Sequence, residues 1–160
     1  MQSVTIICLG KLKEKYLRDA QSEYSKRLTA FCKHNIIELS PDALPSNPSE
    51  AEIAAALENE GKRIISAIPN GAYVYAMCIE GKQRSSEALS REMADLAVRG
   101  KSNIVFIIGS SYGLSDAVKN FADAKLSMSE MTFPHQLARI MLLEQTYRAF
   151  QIMNGGKYHK

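Results

Sequence analysis

Residues 126–150 read LSMSEMTFPHQLARIMLLEQTYRAF, and the rest of the chain is organised around them. Small hydroxyl residues come first, followed by Pro134 and a long apolar-rich run, an order that predicts a loop and then a helix. Proline suits the first helical position because its missing N–H belongs to the unpaired first turn, and Thr132 is placed to cap that turn. At 100° per residue the helix has two apolar flanks, one with Ile140, Leu143, Tyr147 and Phe150 and the other with Met141, Leu142, Ala149 and Ile152.

Two polar strips separate these flanks, and they are the first candidates for a functional site. His135 and Arg139 lie one helical turn apart, and on the far side Glu144 and Arg148 form a favourable i,i+4 pair. A helix with a purely structural role needs neither strip. The alternative is a core helix that carries ordinary surface charges.

Composition describes an ordinary globular protein. The chain has 160 residues, of which 46% are apolar and 23% charged, so we predict one domain over residues 1–160. The net charge of +3 is too small to identify a nucleic-acid binder, although it would not repel a polyanion. No apolar run reaches membrane-spanning length and no signal-peptide pattern opens the chain, which predicts a cytoplasmic location.

The three cysteines do not indicate a disulfide or a metal site. Cys8, Cys32 and Cys78 are far apart and lie in apolar settings, a pattern typical of buried free thiols. No His/Cys spacing suits a metal ion, so we predict no bound metal.

Short apolar runs alternate with helical patterns along the chain. Strands are predicted at residues 4–9, 36–39, 72–79 and 103–108 and a weak one at 124–128, and the third should be broken by Glu80, Gly81 and Lys82. Ser49 with Glu52 forms a capping box, and Ser85 or Ser86 caps a further helix. This alternation predicts an α/β fold with a largely parallel sheet of about five strands flanked by helices.

Ligands of such sheets bind beyond the carboxyl ends of the strands. Three predicted loops qualify: residues 80–86, 109–113 and 127–134. Gly109 and Gly113 follow the most apolar strand and would let the backbone approach a ligand closely. The loop is not the G-x-G-x-x-G fingerprint, and there is no Walker A motif, no nucleophile elbow and no isolated carboxylate pair.

The first predicted helix opens with basic residues, which oppose the helix dipole. These residues are Lys11, Lys13, Lys15 and Arg18. They are either a solvated face or a patch that contacts phosphate, with Lys11 the nearest to the preceding strand.

Several motifs together resemble one known family. They are GSSYGL at residues 109–114, SMSEMTFPHQ at 127–136, EQTYRAF at 144–150, YHK at 158–160, GKLKEKY at 10–16 and GKQRSSE at 81–87. The full length of the chain resembles the ribosomal large subunit methyltransferase H family, which are small SPOUT enzymes. Three positions depart from the family pattern, where Ser110 replaces a glycine, Glu130 a lysine and Lys157 a proline. Ser110 would narrow the cofactor pocket slightly, and Glu130 would put a negative charge near RNA.

The resemblance implies an α/β trefoil-knot fold and a specific reaction. The family transfers a methyl group from S-adenosylmethionine to N3 of a pseudouridine in 23S rRNA and works as a homodimer. By analogy, the cofactor contacts Met77, Gly109, Met128, Ser129, Glu130, Met131, Thr132 and Phe133. A helix that is apolar on two flanks would then place one flank on its own sheet and the other on the partner.

The tail, residues 154–160 (NGGKYHK), is expected to be flexible and to serve the substrate. Tyr158 can stack on a base, and Lys160 can contact a phosphate. His159 can accept or relay the N3 proton while Arg139 and Arg148 hold RNA phosphates or the developing charge. A frayed terminus without a role is the alternative.

Two other functions remain open at this point. One is a non-catalytic α/β domain that binds RNA or the ribosome through the same basic face. The other is a nucleotide-binding regulator of flavodoxin-like topology, which would require the loop at residues 109–113, here called the glycine loop, to hold phosphate.

Overall fold

Five strands alternate with five helices along residues 1–160, all of which the computed structural model describes. The strands are β1 (Ser3–Leu9), β2 (Lys33–Leu39), β3 (Tyr73–Gln83), β4 (Asn103–Ile108) and β5 (Ala124–Ser127). The helices are α1 (Lys15–Leu28), α2 (Glu50–Ala67), α3 (Ser86–Val98), α4 (Asp116–Phe121) and α5 (His135–Met153). The predicted α/β alternation is confirmed.

The strands form one sheet in the order β2-β1-β4-β3-β5, and every neighbouring pair is parallel. β1 and β4 lie inside the sheet and are buried at nearly every position, as expected of apolar runs covered on both faces. Because all five strands point the same way, their carboxyl ends meet at one edge.

Each face of the sheet carries its own core. One core joins the sheet to α1, α3 and α5 through Leu28, Met93 and Leu143. The other joins it to α2 and α4 through Ile64 and Val118. No helix is both long enough and apolar enough to cross a membrane. Cys8 and Cys32 are buried free thiols, as predicted, and Cys78 is a free thiol that is only half-buried.

Local signals explain where two of the helices begin. Ser49 Oγ accepts a hydrogen bond from the Glu52 amide and Glu52 Oε1 accepts one from the Ser49 amide, both 3.1 Å, which confirms the capping box. Ser85 caps α3 by accepting from the Ala88 amide at 3.1 Å.

α5 begins one residue later than expected. Pro134 has an extended backbone (ψ 137°) and occupies the N-cap position, and no side chain caps the helix. The prediction that Thr132 caps α5 is therefore wrong. The Pro134 carbonyl instead accepts the first helical bond from the Ala138 amide at 2.9 Å.

β3 continues beyond its predicted end. Its pairing with β5 shifts between Met77 and Lys82, so Glu80 and Gly81 lie in an irregularity of the strand and do not break it. A Cβ at Gly81 would lie 2.7 Å from the backbone carbonyl carbon of Leu126. Glycine at this position therefore allows the end of β3 to lie directly against β5.

Both apolar flanks of α5 pack mainly within the chain. Phe31, which follows α1, stacks on Phe150 with ring centroids 6.1 Å apart, and Ser90 Oγ of α3 donates to the Ala149 carbonyl at 2.8 Å. The expectation of one whole flank left for a partner is therefore wrong. The helix face opposite the buried Thr146 is what remains, and we call it the outer strip of α5: Leu137, Met141, Glu144, Arg148 and Ile152.

Candidate active site

A cleft of about 790 Å³ opens at the carboxyl edge of the sheet. Its walls are residues 77–80 of β3, residues 108–114 at and after the end of β4, and residues 126–129 and 131–135 at and after the end of β5, with Lys119 and Ala138 from the helices. This volume lies in the range of roughly 300–1,000 Å³ that is usual for small-molecule sites. Two of the three predicted loops line the cleft, whereas the loop at residues 80–86 contributes only Glu80.

The structure brings together almost all of the expected cofactor residues. Those that line the cleft are Met77, Gly109, Met128, Ser129, Met131, Thr132 and Phe133. Glu130 is exposed and does not line it. Within this segment Ser129 Oγ accepts from the Met131 amide, and Ser127 Oγ donates to the Ser129 carbonyl, each at 3.0 Å. The hydroxyl residues thus hold the shape of the loop.

The glycine loop needs glycine at positions 109 and 113 because of contacts and backbone angles within the loop itself. A Cβ at Gly109 would collide with the carbonyl of Gly113, and Gly113 has a φ of 88°, in the left-handed region that favours glycine. The Gly113 amide closes the turn on the Ser110 carbonyl at 2.9 Å. The expectation that Gly109 mainly leaves room for a ligand is therefore corrected, because the tight turn itself excludes a side chain.

Sequence reasoning missed Glu60, which anchors the glycine loop from α2. Glu60 is only 3% exposed, and its carboxylate accepts from Ser110 Oγ at 3.0 Å and from the Asp42 amide at 2.9 Å. Ser110, which replaces the glycine of the family pattern, thus has a hydrogen-bond partner on α2. The available indication was the helical spacing of Glu60 with Ala56 and Ile64, which places a carboxylate on the buried face of α2.

A second, smaller cleft of about 250 Å³ adjoins the first and shares Ser110, Ser111, Tyr112 and His135 with it. Lys11 and Lys13 line it, so two residues of the basic patch at the start of the first helix lie beside the main cleft. His135 lines both clefts. Its pKa is lowered by burial and by the nearby charges of Arg139 and Lys13, so its imidazole is neutral at pH 7.

Arg139 does not have the role expected of it. Its side chain is 1% exposed and forms an ion pair with Glu38 of β2 at 2.6 Å. The same guanidinium donates to the Gly10 carbonyl at 3.0 Å and to Gln21 at 3.1 Å. The prediction that Arg139 holds RNA phosphate or the developing charge is therefore wrong, since a buried, paired guanidinium that joins α5 to β2 cannot reach RNA.

The tail is docked on its own chain. Tyr158 donates to Glu144 at 2.5 Å, its ring packs edge-on against Tyr147, and the Arg148 guanidinium lies 4.7 Å above it. The hydrogen bond to Glu144 and burial raise the pKa of Tyr158 to about 12. His159 lies between Arg148 and Glu87.

These contacts correct the expectation of a free, flexible tail. The predicted pair of Glu144 with Arg148 is confirmed at 2.7 Å, and it forms the platform on which Tyr158 and His159 rest. Lys160 remains exposed. None of residues 154–160 lines either cleft, so the structure does not bring the tail to the cofactor residues of its own chain.

Comparison with known proteins places this architecture in a class. The family described as "Predicted SPOUT methyltransferase" matches residues 2–159. A solved structure, a probable methylase family protein from Haemophilus influenzae Rd KW20, shares the fold with a TM-score of 0.54 and 12% identity, over 98% of this chain and 70% of that one.

Curated relatives narrow the class to one family. The ribosomal RNA large subunit methyltransferase H of Clostridium acetobutylicum is 54% identical over 99% of both chains. The protein of that name from Clostridioides difficile is 51% identical, and a putative one from Methanococcus maripaludis is 49% identical, again over 99% of both chains. This chain belongs to the ribosomal RNA large subunit methyltransferase H family of SPOUT methyltransferases, which confirms the resemblance found in its sequence.

Proposed function

We propose that this chain transfers a methyl group from S-adenosylmethionine to N3 of a pseudouridine in the RNA of the large ribosomal subunit. The observation that carries the proposal is the cleft at the carboxyl edge, which collects the family's cofactor residues on three successive segments of one chain. The relatives are named as methyltransferases of this RNA. We place the reaction in the cytoplasm and assign it to a single domain, residues 1–160.

The cleft fits S-adenosylmethionine in size and lining. Ile108, Leu114 and Leu126 offer an apolar slot for adenine, and the turns at residues 109–113 and 127–134 offer backbone groups to its edge. Met77, Gly109 and residues 128–133 would hold the molecule, Glu130 through its backbone only because its side chain faces solvent. When bound, S-adenosylmethionine supplies a methyl group carried on a positively charged sulfur.

The second cleft would receive the RNA. Lys11 and Lys13 place positive charge at its rim for phosphate, and Tyr112, which is 50% exposed, offers a ring on which a base can stack. His135 lies between the two clefts as a neutral imidazole and is our candidate to accept the N3 proton within the chain.

A homodimer would bring the tail into the reaction. Tyr158 and His159 rest on Glu144 and Arg148, which belong to the outer strip of α5. If two copies pack through this strip, each tail lies at the interface and is within reach of the partner's clefts. Tyr158, His159, Arg148 and Lys160 would then act on RNA bound to the partner.

Labelled S-adenosylmethionine incubated with pseudouridylated ribosomes, separated large subunits and free 23S rRNA tests the proposal. We expect label at N3 of one pseudouridine, and none when ribosomes lacking that pseudouridine are used. Binding of ribosomes without any transfer would instead support a non-catalytic RNA-binding domain. Failure to bind S-adenosylmethionine in calorimetry would contradict the proposal outright.

A further inference from the structure

The wall of the main cleft carries one ion pair. Glu80, in the irregular part of β3, and Lys119, in α4, approach to 2.5 Å between Oε1 and Nζ. They are the only oppositely charged side chains that line the cleft, and the one other basic side chain in its lining is the neutral His135. The pair therefore joins two elements of the fold at the place where a ligand is expected.

Both partners retain the capacity to bind further groups. A lysine ammonium has three donors and a carboxylate has two acceptor oxygens, and no other side chain hydrogen-bonds to either group. Lys119 lowers the pKa of Glu80, and Glu80 raises the pKa of Lys119, so both are charged at neutral pH. Glu80 is 54% exposed, and partly exposed pairs of this kind stabilise a fold only weakly. The small contribution of this pair to the stability of the fold therefore does not explain why it is present.

We propose that Glu80 and Lys119 bind the α-amino acid end of S-adenosylmethionine, an inference that rests on the function proposed above. Lys119 donates to the α-carboxylate and Glu80 accepts from the α-ammonium. The protein pair and the ligand end each carry one positive and one negative charge. When the ligand end binds the Glu80–Lys119 pair, each charge therefore lies beside opposite charges, and no net charge is buried.

The rest of the lining supports this orientation. The apolar slot of Ile108, Leu114 and Leu126 suits adenine and contains no charged side chain. His135, on the wall shared with the second cleft, belongs to the side from which RNA would approach. The Glu80–Lys119 pair is outside the second cleft, so binding the amino acid end there leaves the shared wall free for the nucleotide.

Two ligands make the test, one with the amino acid chain on a positively charged sulfur and one that lacks this chain and has a neutral sulfur. S-adenosylmethionine carries the α-amino acid end, and 5′-methylthioadenosine lacks it. We expect Lys119→Gln and Glu80→Gln each to weaken S-adenosylmethionine roughly 10- to 100-fold in calorimetry, the effect of one lost charge-assisted hydrogen bond. The affinity for methylthioadenosine should stay within about twofold.

Lys62→Gln is the matched control, because Lys62 pairs with Glu58 on α2 outside both clefts. This variant should change neither the affinity for S-adenosylmethionine nor the affinity for methylthioadenosine. Decarboxylated S-adenosylmethionine gives a second measurement, since it keeps the ammonium and lacks the carboxylate. Wild-type protein should prefer S-adenosylmethionine to it, and Lys119→Gln should not.

The outcomes separate the inference from the function on which it rests. Equal losses for both ligands would mean that the pair only shapes the cleft, and unchanged affinities would place the amino acid end elsewhere. Either result overturns the inference and leaves the methyltransferase function intact. If the wild-type protein binds neither S-adenosylmethionine nor methylthioadenosine, the inference and the proposed function fail together. A thermal melt of each variant shows whether the fold is retained.

Discussion

Arg148 Nη1 lies 3.1 Å from Nδ1 of His159, whose other ring nitrogen, Nε2, lies 2.7 Å from Glu87 Oε1. A guanidinium can only donate, so Nδ1 must accept and Nε2 must carry the proton that is donated to Glu87. Both ring nitrogens of His159 are therefore engaged. To accept a proton from RNA it must first exchange one of these partners.

Deletion of Tyr158, His159 and Lys160 tests the role of the docked tail. We expect the cofactor affinity and the fold to be retained and methyl transfer to ribosomes to be lost. Stability should fall by about 2 kcal/mol, because Tyr158 loses its contacts with Glu144, Tyr147 and Arg148 and His159 loses its partly exposed contacts with Arg148 and Glu87. Calorimetry, urea unfolding and the labelled-methyl assay measure the three effects. Full turnover by the shortened chain would refute a role in the reaction, and loss of dimers would assign the tail to assembly.

Substitution of Gly109 by alanine should damage both the loop and cofactor binding. The added Cβ collides with the Gly113 carbonyl, so residues 109–113 must move. We expect weaker S-adenosylmethionine binding together with a lower melting temperature. Ser102→Ala, at an exposed position just before β4 and outside both clefts, is the control and should change neither. Normal affinity in Gly109→Ala would show that the loop does not contact the cofactor.

Stability should fall as the solution becomes mildly acidic, through His34. Its Nδ1 lies 3.2 Å from the Val4 carbonyl, and its Nε2 is buried without a partner. Burial lowers the pKa of His34 below 6.5. The unfolded chain then binds more protons than the folded one below about pH 6.5, so the free energy of unfolding decreases as the pH falls through that region.

Urea unfolding of the wild type and His34→Gln between about pH 7.5 and 5.5 measures this effect. The variant should lose less stability over the range than the wild type. His135→Gln is the comparison, since burial lowers the pKa of His135 as well and it should account for part of the remaining slope. Parallel profiles for wild type and His34→Gln would contradict the assignment.

The outer strip of α5 predicts how two copies meet. Leu137 is 39% exposed, and Met141 lies one turn further along the same face. Met141→Glu should convert the proposed homodimer to a monomer in light scattering at micromolar concentration, because it places a charge in an apolar contact. Val98→Glu, at an apolar residue of α3 that is 88% exposed, is the matched control and should leave the mass unchanged. A wild-type protein of monomeric mass would refute the dimer itself.

Local patterns were sufficient to predict most of the architecture. β1, β3 and β4 each contain a continuous apolar run, and Ser49 and Ser85 mark helix starts by chemistry confined to a few residues. The two glycine positions and the segment at residues 127–134 also pointed to the cleft. In each case the interactions that determine the local structure join residues that are close in the sequence.

The missed features depend on partners far away in the chain. Arg139 looked like an RNA ligand because the Glu38 carboxylate that neutralises it is 101 residues away. Glu60 was missed because its partner Ser110 is 50 residues away. Only the folded chain brings these two buried charges to their partners.

The all-parallel sheet also has a consequence for the rate of folding. No two of its strands are joined by a hairpin, because each neighbouring pair needs a crossover segment or a longer connection. The central pair of β1 and β4 matches Ser3 with Asn103, so about a hundred residues of chain must be closed into a loop before that pair forms. Closing such a loop lowers the conformational entropy of the chain before any contact between the strands compensates for the loss. Refolding from urea should therefore be slow, on a scale of milliseconds to seconds or longer, with the rate limited by the search for distant strands.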